Sequence, residues 1–274
     1  VGVFTWRLHL STHHSVALSL LRGISLALSE TSYDALLYAR HPHEGGVEPT
    51  YFLDGRVDAV ILAPGGLTEA GVASLAASGL PGVLLYEREA PGNLASVSID
   101  NMGGVSAAMD HLVRLGHRRI GFVGPLYSRD FRERLAAYEH SLARHGLARQ
   151  PRWVATDVTE TDDVVADAVR CMIRAEEPPT ALVAGNDGIA LSVLAAARGL
   201  GLGVPGDLSV VGFDGSDAGR LANLTTIAQP AENVGATAAR YVADLLGGRP
   251  GDQCRSELPV RFVARETTGP PAYV

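Results

Sequence analysis

Four polar residues close apolar runs of this sequence: Glu87 ends "VLLYE", Asn186 ends "LVAGN", Asp214 ends "VVGFD" and Gln229 ends "TTIAQ". In open α/β sheets ligands collect beyond the carboxyl ends of the strands, so residues at such positions are the ones to read for chemistry. Carboxylates and carboxamides supply acceptors and donors to a neutral, hydroxyl-rich ligand, and Arg134, on the helical stretch after "RIGFVG", adds a guanidinium able to bond in a bidentate fork. The set fits a sugar or a nucleoside. Each member also has a plainer reading. Asn186 or Asp187 suits the N-cap of "GIALSVLAAAR", and Asp214 suits a turn. Their common placement at strand ends is what groups them.

Other chemistries find less support. The 23 basic residues are all arginine, and a chain without lysine has no P-loop lysine, Schiff-base lysine or pyridoxal-phosphate anchor. The first strand opens into "WRLHLSTHH", but His9, His13 and His14 share that loop with no carboxylate among them, which argues against a metal site. There is no G-x-S-x-G elbow and no H-E-x-x-H, and no carboxylate pair is singled out for glycoside hydrolysis. "GLGLGVPG" follows a helix and precedes a strand, the reverse of the order that sets a pyrophosphate on a helix N-terminus. His117, in "LGHRRIGFVG", reads as a turn residue making a local hydrogen bond: the preceding helix ends at Gly116, and Arg118 and Arg119 sit by its partly negative end.

The elements that must position these side chains come from the hydrophobic pattern. Strand-like runs begin at Val1, Asp34, Ala59, Gly82, Arg119, Ala181 and Leu208. They alternate with amphipathic stretches such as Val16, Leu20, Ile24 and Leu28, or Phe131, Leu135, Tyr138 and Leu142. Such alternation signals βα units with a parallel sheet covered on both faces. "SIDNMGG", "LTTIAQP" and "SELPVRF" interrupt the rhythm and read as three crossings between two lobes. A length of 274 residues suits two compact units. The net charge of -7 repels phosphate backbones, and two distant cysteines make no disulfide framework. No apolar run approaches a membrane span, and the first residues read as a strand in place of a secretory signal.

Taken in order, "VDAVILAP", "HLVRLGHRRIGFVGP", "RLAAY", "PTALVAGNDGIALSVLAAARGLGLGVPGDLSVVGFD", "LTTIAQP" and "LPVRFVARETT" resemble the effector-binding region of the LacI/GalR family of bacterial transcription regulators. The resemblance runs over essentially the whole chain. It implies a periplasmic-binding-protein-like (type I) α/β fold: two doubly wound parallel-sheet lobes joined by three crossovers, dividing as residues 1–98 with 229–257 and 99–228 with 258–274. It also implies a sugar-like effector in the interlobe cleft, no cofactor and no catalysis, a homodimer, and a cytoplasmic location. By the family's motifs, Arg134, Asn186 and Asp214 would contact the effector, with Glu87 at the matching acidic position and Gln229 at a crossing.

Two departures bear on function. Many members carry "S-N-P-F-F" after the first strand, whereas this chain has "WRLHLSTHH", which transfers the first-loop contacts to Trp6, His9 and His13. The helix-turn-helix headpiece that precedes the first strand in the family is absent here, so operator DNA would be read by a separate basic segment and the acidic chain would be the sensor. The rival expectation is a periplasmic sugar receptor of the same two-lobed fold, although "LGHRRI" and "DLSVVGFD" are more typical of the repressors.

Overall fold

Runs of Val, Ile and Leu too short for helices become strands, and stretches with apolar residues every three or four positions become the helices that cover them. A computed structural model describes residues 1–4, 15–38, 49–63, 68–158 and 162–272. In chain order the elements are β1 (Gly2–Phe4), α1 (Ser15–Leu28), β2 (Leu36–Tyr38), β3 (Val60–Leu62), α2 (Glu69–Ser78), β4 (Gly82–Leu85) and β5 (Ala95–Ile99). There follow α3 (Asn101–Arg114), β6 (Ile120–Val123), α4 (Arg129–Arg144), β7 (Val154–Ala155), α5 (Asp162–Ile173), β8 (Ala181–Ala184) and α6 (Asp187–Gly199). The last are β9 (Ser209–Asp214), α7 (Asp217–Leu221), β10 (Thr225–Ala228), α8 (Ala231–Leu246), β11 (Arg255–Leu258) and β12 (Arg261–Val263).

The chain divides into two compact units, Val1–Ile99 with Pro230–Pro259 and Asp100–Gln229 with Val260–Val274, so it passes between them three times. Gln229 closes the first segment of the second unit, one residue beyond the boundary drawn from sequence, and Pro259 closes the first unit, two residues beyond. Each unit holds a six-stranded sheet. The first runs β11-β5-β4-β3-β1-β2 and is parallel throughout. The second runs β12-β10-β9-β8-β6-β7 and is parallel except for its edge strand β12. The fold is the periplasmic-binding-protein-like α/β arrangement.

Beneath the sheets lie two apolar clusters. Phe4, Phe52, Val60, Leu75 and Leu94 fill the first unit, and Phe131, Val165, Val169, Leu182, Ile189 and Val210 the second. Leu20, Ile24 and Leu28 of α1 and Phe131, Tyr138 and Leu142 of α4 are buried on the faces their spacing predicts. In the first unit α1 packs on α8 with glycines at the crossing: Gly23 faces the Glu232 carbonyl and Gly235 the Leu20 carbonyl. α8 stops at Gly247 as its sequence implies.

His117 departs from its sequence reading. It is fully buried, and its bonds are long-range: Nδ1 lies 2.8 Å from Thr180 Oγ1, and Nε2 lies 3.0 Å from Ser209 Oγ and 2.9 Å from the Gly269 carbonyl. A carbonyl only accepts, so Nε2 carries the proton and Nδ1 accepts from Thr180. The side chain thereby ties the start of the second sheet to the chain's last segment. Burial pushes its pKa below the ordinary histidine value. The unfolded chain then binds the proton more readily, so this contribution to stability is complete above about pH 6.5 and is lost as pH falls below that value. His111, also depressed by burial, acts in the same direction. Urea denaturation at pH 7.5 and 5.5 is expected to show the wild type losing stability on acidification and His117→Gln losing less. Equal losses in the two proteins would remove His117 from the cause.

Candidate functional site

At the carboxyl edge of the second sheet, β8, β9 and β10 lie side by side and deliver Asn186, Asp214 and Gln229 to one rim. The register pairs Ala228 with Asp214. The next residue, Gln229, therefore donates its backbone N–H to the Asp214 carbonyl at 3.1 Å and its side-chain Nε2 to Asp214 Oδ1 at 2.6 Å. Asp214 sits at φ 134°, a backbone conformation costly for any residue with a Cβ, and Gly215 follows at φ 72°. Strain of this kind persists only where surroundings over-determine it, and the double hold from Gln229 is part of that. Its carboxyl is only partly exposed. Withdrawal from water pushes its pKa above the usual carboxylate range, with the Arg134 guanidinium opposing the rise and Asp187 adding to it.

Asp187 is the buried brace behind the rim. Its Oδ2 accepts from the Ser216 backbone N–H at 2.7 Å and its Oδ1 from the Thr226 hydroxyl at 2.6 Å, tying the loop after β9 to β10. Burial raises its pKa, and those bonds draw it back. The carboxylate has room because residue 212 is glycine: a Cβ there would lie 2.3 Å from Asp187 Oδ1. Asn186 takes the N-cap role, its Oδ1 accepting from the Ile189 backbone N–H at 2.8 Å.

Arg134 reaches the same rim from α4, where the spacing of Phe131, Ala137, Tyr138 and Leu142 puts it on the inward face. The side chain is 2% exposed. Nε donates to Asn101 Oδ1 at 2.9 Å, Nη1 to the Gly185 carbonyl at 2.7 Å, and Nη2 pairs with Asp130 at 3.2 Å. Phe213 stacks on the guanidinium with its ring centre 3.6 Å away. Asn101 in turn donates Nδ2 to Glu133 at 3.0 Å. Asn101, Asp130 and Phe213 are members of the site that the sequence reading passed over. "SIDNMGG" reads there as a crossing, and the one available signal was its adjoining position to the helix N-cap Asp100.

The remaining sequence candidates belong to the first unit. Glu87 is half-buried just past the end of β4, after Tyr86, whose φ of 60° also lies in the left-handed region. Its neighbour Arg88 pairs with Glu257 of β11 at 2.6 Å. Trp6, His9 and His13 lie outside the described residues. Among the described residues no three His, Cys, Asp or Glu side chains are grouped to hold a metal ion, and no helix is long and apolar enough to cross a membrane.

Comparison with known proteins places this arrangement. Residues 109–268 match the family described as periplasmic binding protein-like domain. The HTH-type transcriptional repressor CytR of Escherichia coli (strain K12) is 30% identical over 238 residues, covering 84% of this chain and 69% of that protein. A crystal structure of a LacI family transcriptional regulator from Mycobacterium smegmatis superposes with a TM-score of 0.84 at 29% identity, covering 98% of this chain and 99% of that one. The transcriptional regulator CelR in complex with cellobiose superposes with a TM-score of 0.83 at 27% identity, covering 97% of this chain and 83% of that one. The chain spans 66 to 69% of the length of such curated relatives. Its two sheet units and these relatives agree: the chain belongs to the LacI/GalR family of transcriptional regulators and comprises that family's effector-binding region.

Proposed function

We propose that this chain is the sensor of a DNA-binding regulator. A sugar, polyol or nucleoside binds among Asp214, Gln229, Asn186 and Arg134 of the second unit and Glu87, Trp6, His9 and His13 of the first. The ligand's occupancy controls operator binding by a helix-turn-helix segment outside this chain, in a homodimer. The observation that carries the proposal is the Asp214–Gln229 pair, a strained carboxylate held by a carboxamide at the carboxyl edge of the sheet. Hydroxyl groups of a ligand would bond to such a pair, and the cellobiose complex of the related CelR supports that chemistry. The acidic net charge of -7 fits a part of the regulator that does not itself touch DNA. A ligand changes operator affinity only through unequal affinity for two states, typically roughly 1 to 3 kcal/mol.

Thermal denaturation against a panel of neutral sugars, polyols and nucleosides tests the reading, because a ligand at 100 times its Kd adds about 2.7 kcal/mol of stability. Asp214→Ala is expected to weaken binding of the panel's best member by about tenfold to a hundredfold, by leaving its hydroxyls unpaired. Affinity in the wild type should rise with pH as the raised Asp214 carboxyl ionises and becomes a full acceptor. A panel without a single stabilising compound, or an unchanged titration for the variant, would refute the proposal.

A further inference from the structure

Resting on the ligand site just proposed, we infer that Asp187 is its positioning residue: the carboxylate fixes the turn after β9 and the end of β10, and so sets where Asp214 and Gln229 stand. The Asp187 side chain is 1% exposed, which excludes direct contact with an effector. Its two oxygens divide between the two strands that deliver the pair. Oδ2 accepts from the Ser216 backbone N–H at 2.7 Å, two residues past Asp214, and Oδ1 accepts from the Thr226 hydroxyl at 2.6 Å, three residues before Gln229. The same Thr226 oxygen accepts the Gly215 N–H at 3.4 Å, which leaves its own proton for Asp187. Gly215 and Ser216 are therefore both held from one carboxylate, immediately after the residue at φ 134°. A strained conformation of that kind needs neighbours that dictate it.

The sequence around the carboxylate is shaped to admit it. A Cβ at residue 212 would lie 2.3 Å from Oδ1, and one at residue 219 would lie 2.7 Å from Oδ2, in each case the nearest obstacle. Neither glycine has a left-handed backbone, so neither is required by a turn of its own. Within a strand and a helix glycine is the weaker choice, and the carboxylate between these two is what they accommodate. Asp187 also acts through its charge. Withdrawal from water pushes the Asp214 carboxyl up to about 8, Arg134 from α4 opposes the rise, and Asp187 from α6 and Asp130 from α4 add to it. Burial raises Asp187 too, against its bonds to Thr226 and Ser216 and the charge of Arg265 beyond β12.

Two variants of the whole chain separate position from charge. Asp187→Asn removes the charge and one of the two acceptors, whereas Thr226→Val removes a bond and keeps the charge. The carboxyl carbon of Asp214 is titrated by NMR and amide exchange is followed at Gly215 and Ser216, both without ligand, and ribose, glucose and adenosine are titrated by calorimetry. In both variants exchange at Gly215 and Ser216 should accelerate about tenfold or more, and the tightest of the three compounds should bind about tenfold more weakly. Asp187→Asn alone should move the Asp214 titration to lower pH, a change that general loosening of the fold does not produce in one variant and spare in the other. Thr226→Ser, which returns the hydroxyl, should restore exchange and binding. Unchanged exchange at Ser216 in Asp187→Asn overturns the inference, and so does an Asp214 titration that keeps its wild-type midpoint there. If Asp187→Asn does not fold, the Thr226 pair decides, and equal exchange in the valine and serine variants overturns it. A wild type silent toward all three compounds counts against the reading of the previous section, while the exchange and carboxyl titrations, which use no ligand, still decide this one.

Discussion

Gly23→Ala is expected to cost roughly 3 kcal/mol or more and to lower the melting temperature by about 6 to 12 °C. A Cβ at residue 23 would stand 1.9 Å from the Glu232 carbonyl oxygen, 2.8 Å from its carbon and 2.9 Å from the Ala236 nitrogen. At residue 235 it would stand 2.2 Å from the Leu20 carbonyl oxygen. All of these are backbone atoms, so no side chain can rotate away, and relief requires that α1 and α8 move apart. α8 also packs on β3, β4 and β5, so separation disturbs the layer over the first sheet. Gly235→Ala should behave alike. Gly199→Ala is the control: it closes α6 with nothing within 4 Å of a new Cβ, and its midpoint should stay at or slightly above that of the wild type. Equal melting temperatures for Gly23→Ala and wild type would show that the helix contact is looser than described.

The second large effect is expected from Arg134→Ala, a loss of about 3 to 5 kcal/mol in the absence of any ligand. The guanidinium is the buried partner of Asp130, the donor to Asn101 and Gly185, and the cation stacked on Phe213. Removing it strands those acceptors and leaves Asp214 without its one opposing positive charge. Arg134→Lys is expected to recover little, because one ammonium cannot reproduce three divergent bonds and a planar stack. Chemical denaturation without ligand separates the two roles of this arginine. A side chain used solely to touch the effector would leave unliganded stability untouched, and that result would remove Arg134 from the framework.

How far the sequence reveals this molecule depends on the range of the interactions. The strand and helix alternation was legible because Val60–Leu62, Gly82–Leu85 and Ile120–Val123 are buried on both faces and read as plain apolar runs. β5, with Ser96 and Ser98, and β11, with Arg255 and Glu257, were passed over because polar residues break the pattern. The strand-end polar residues were visible as a set because each terminates its own local run. What joins them was not. The bond from Gln229 to Asp214 follows from the register of β9 and β10, and the bond from Asn101 to Arg134 spans 33 positions. His117 shows the same limit, since its partners lie 63, 92 and 152 positions downstream and a local reading could only make it a turn.

The interleaving of the two units has a consequence for biosynthesis. α1 is made early, but the helix that covers it, α8, comes only after the body of the second unit, and that unit in turn waits for β12 and for Gly269 to receive His117. Neither unit can complete its core from one uninterrupted stretch of chain. A ribosome-bound nascent chain therefore carries both, unfinished, until residues 255–269 have emerged, and the two reach completion almost at the same moment rather than one after the other.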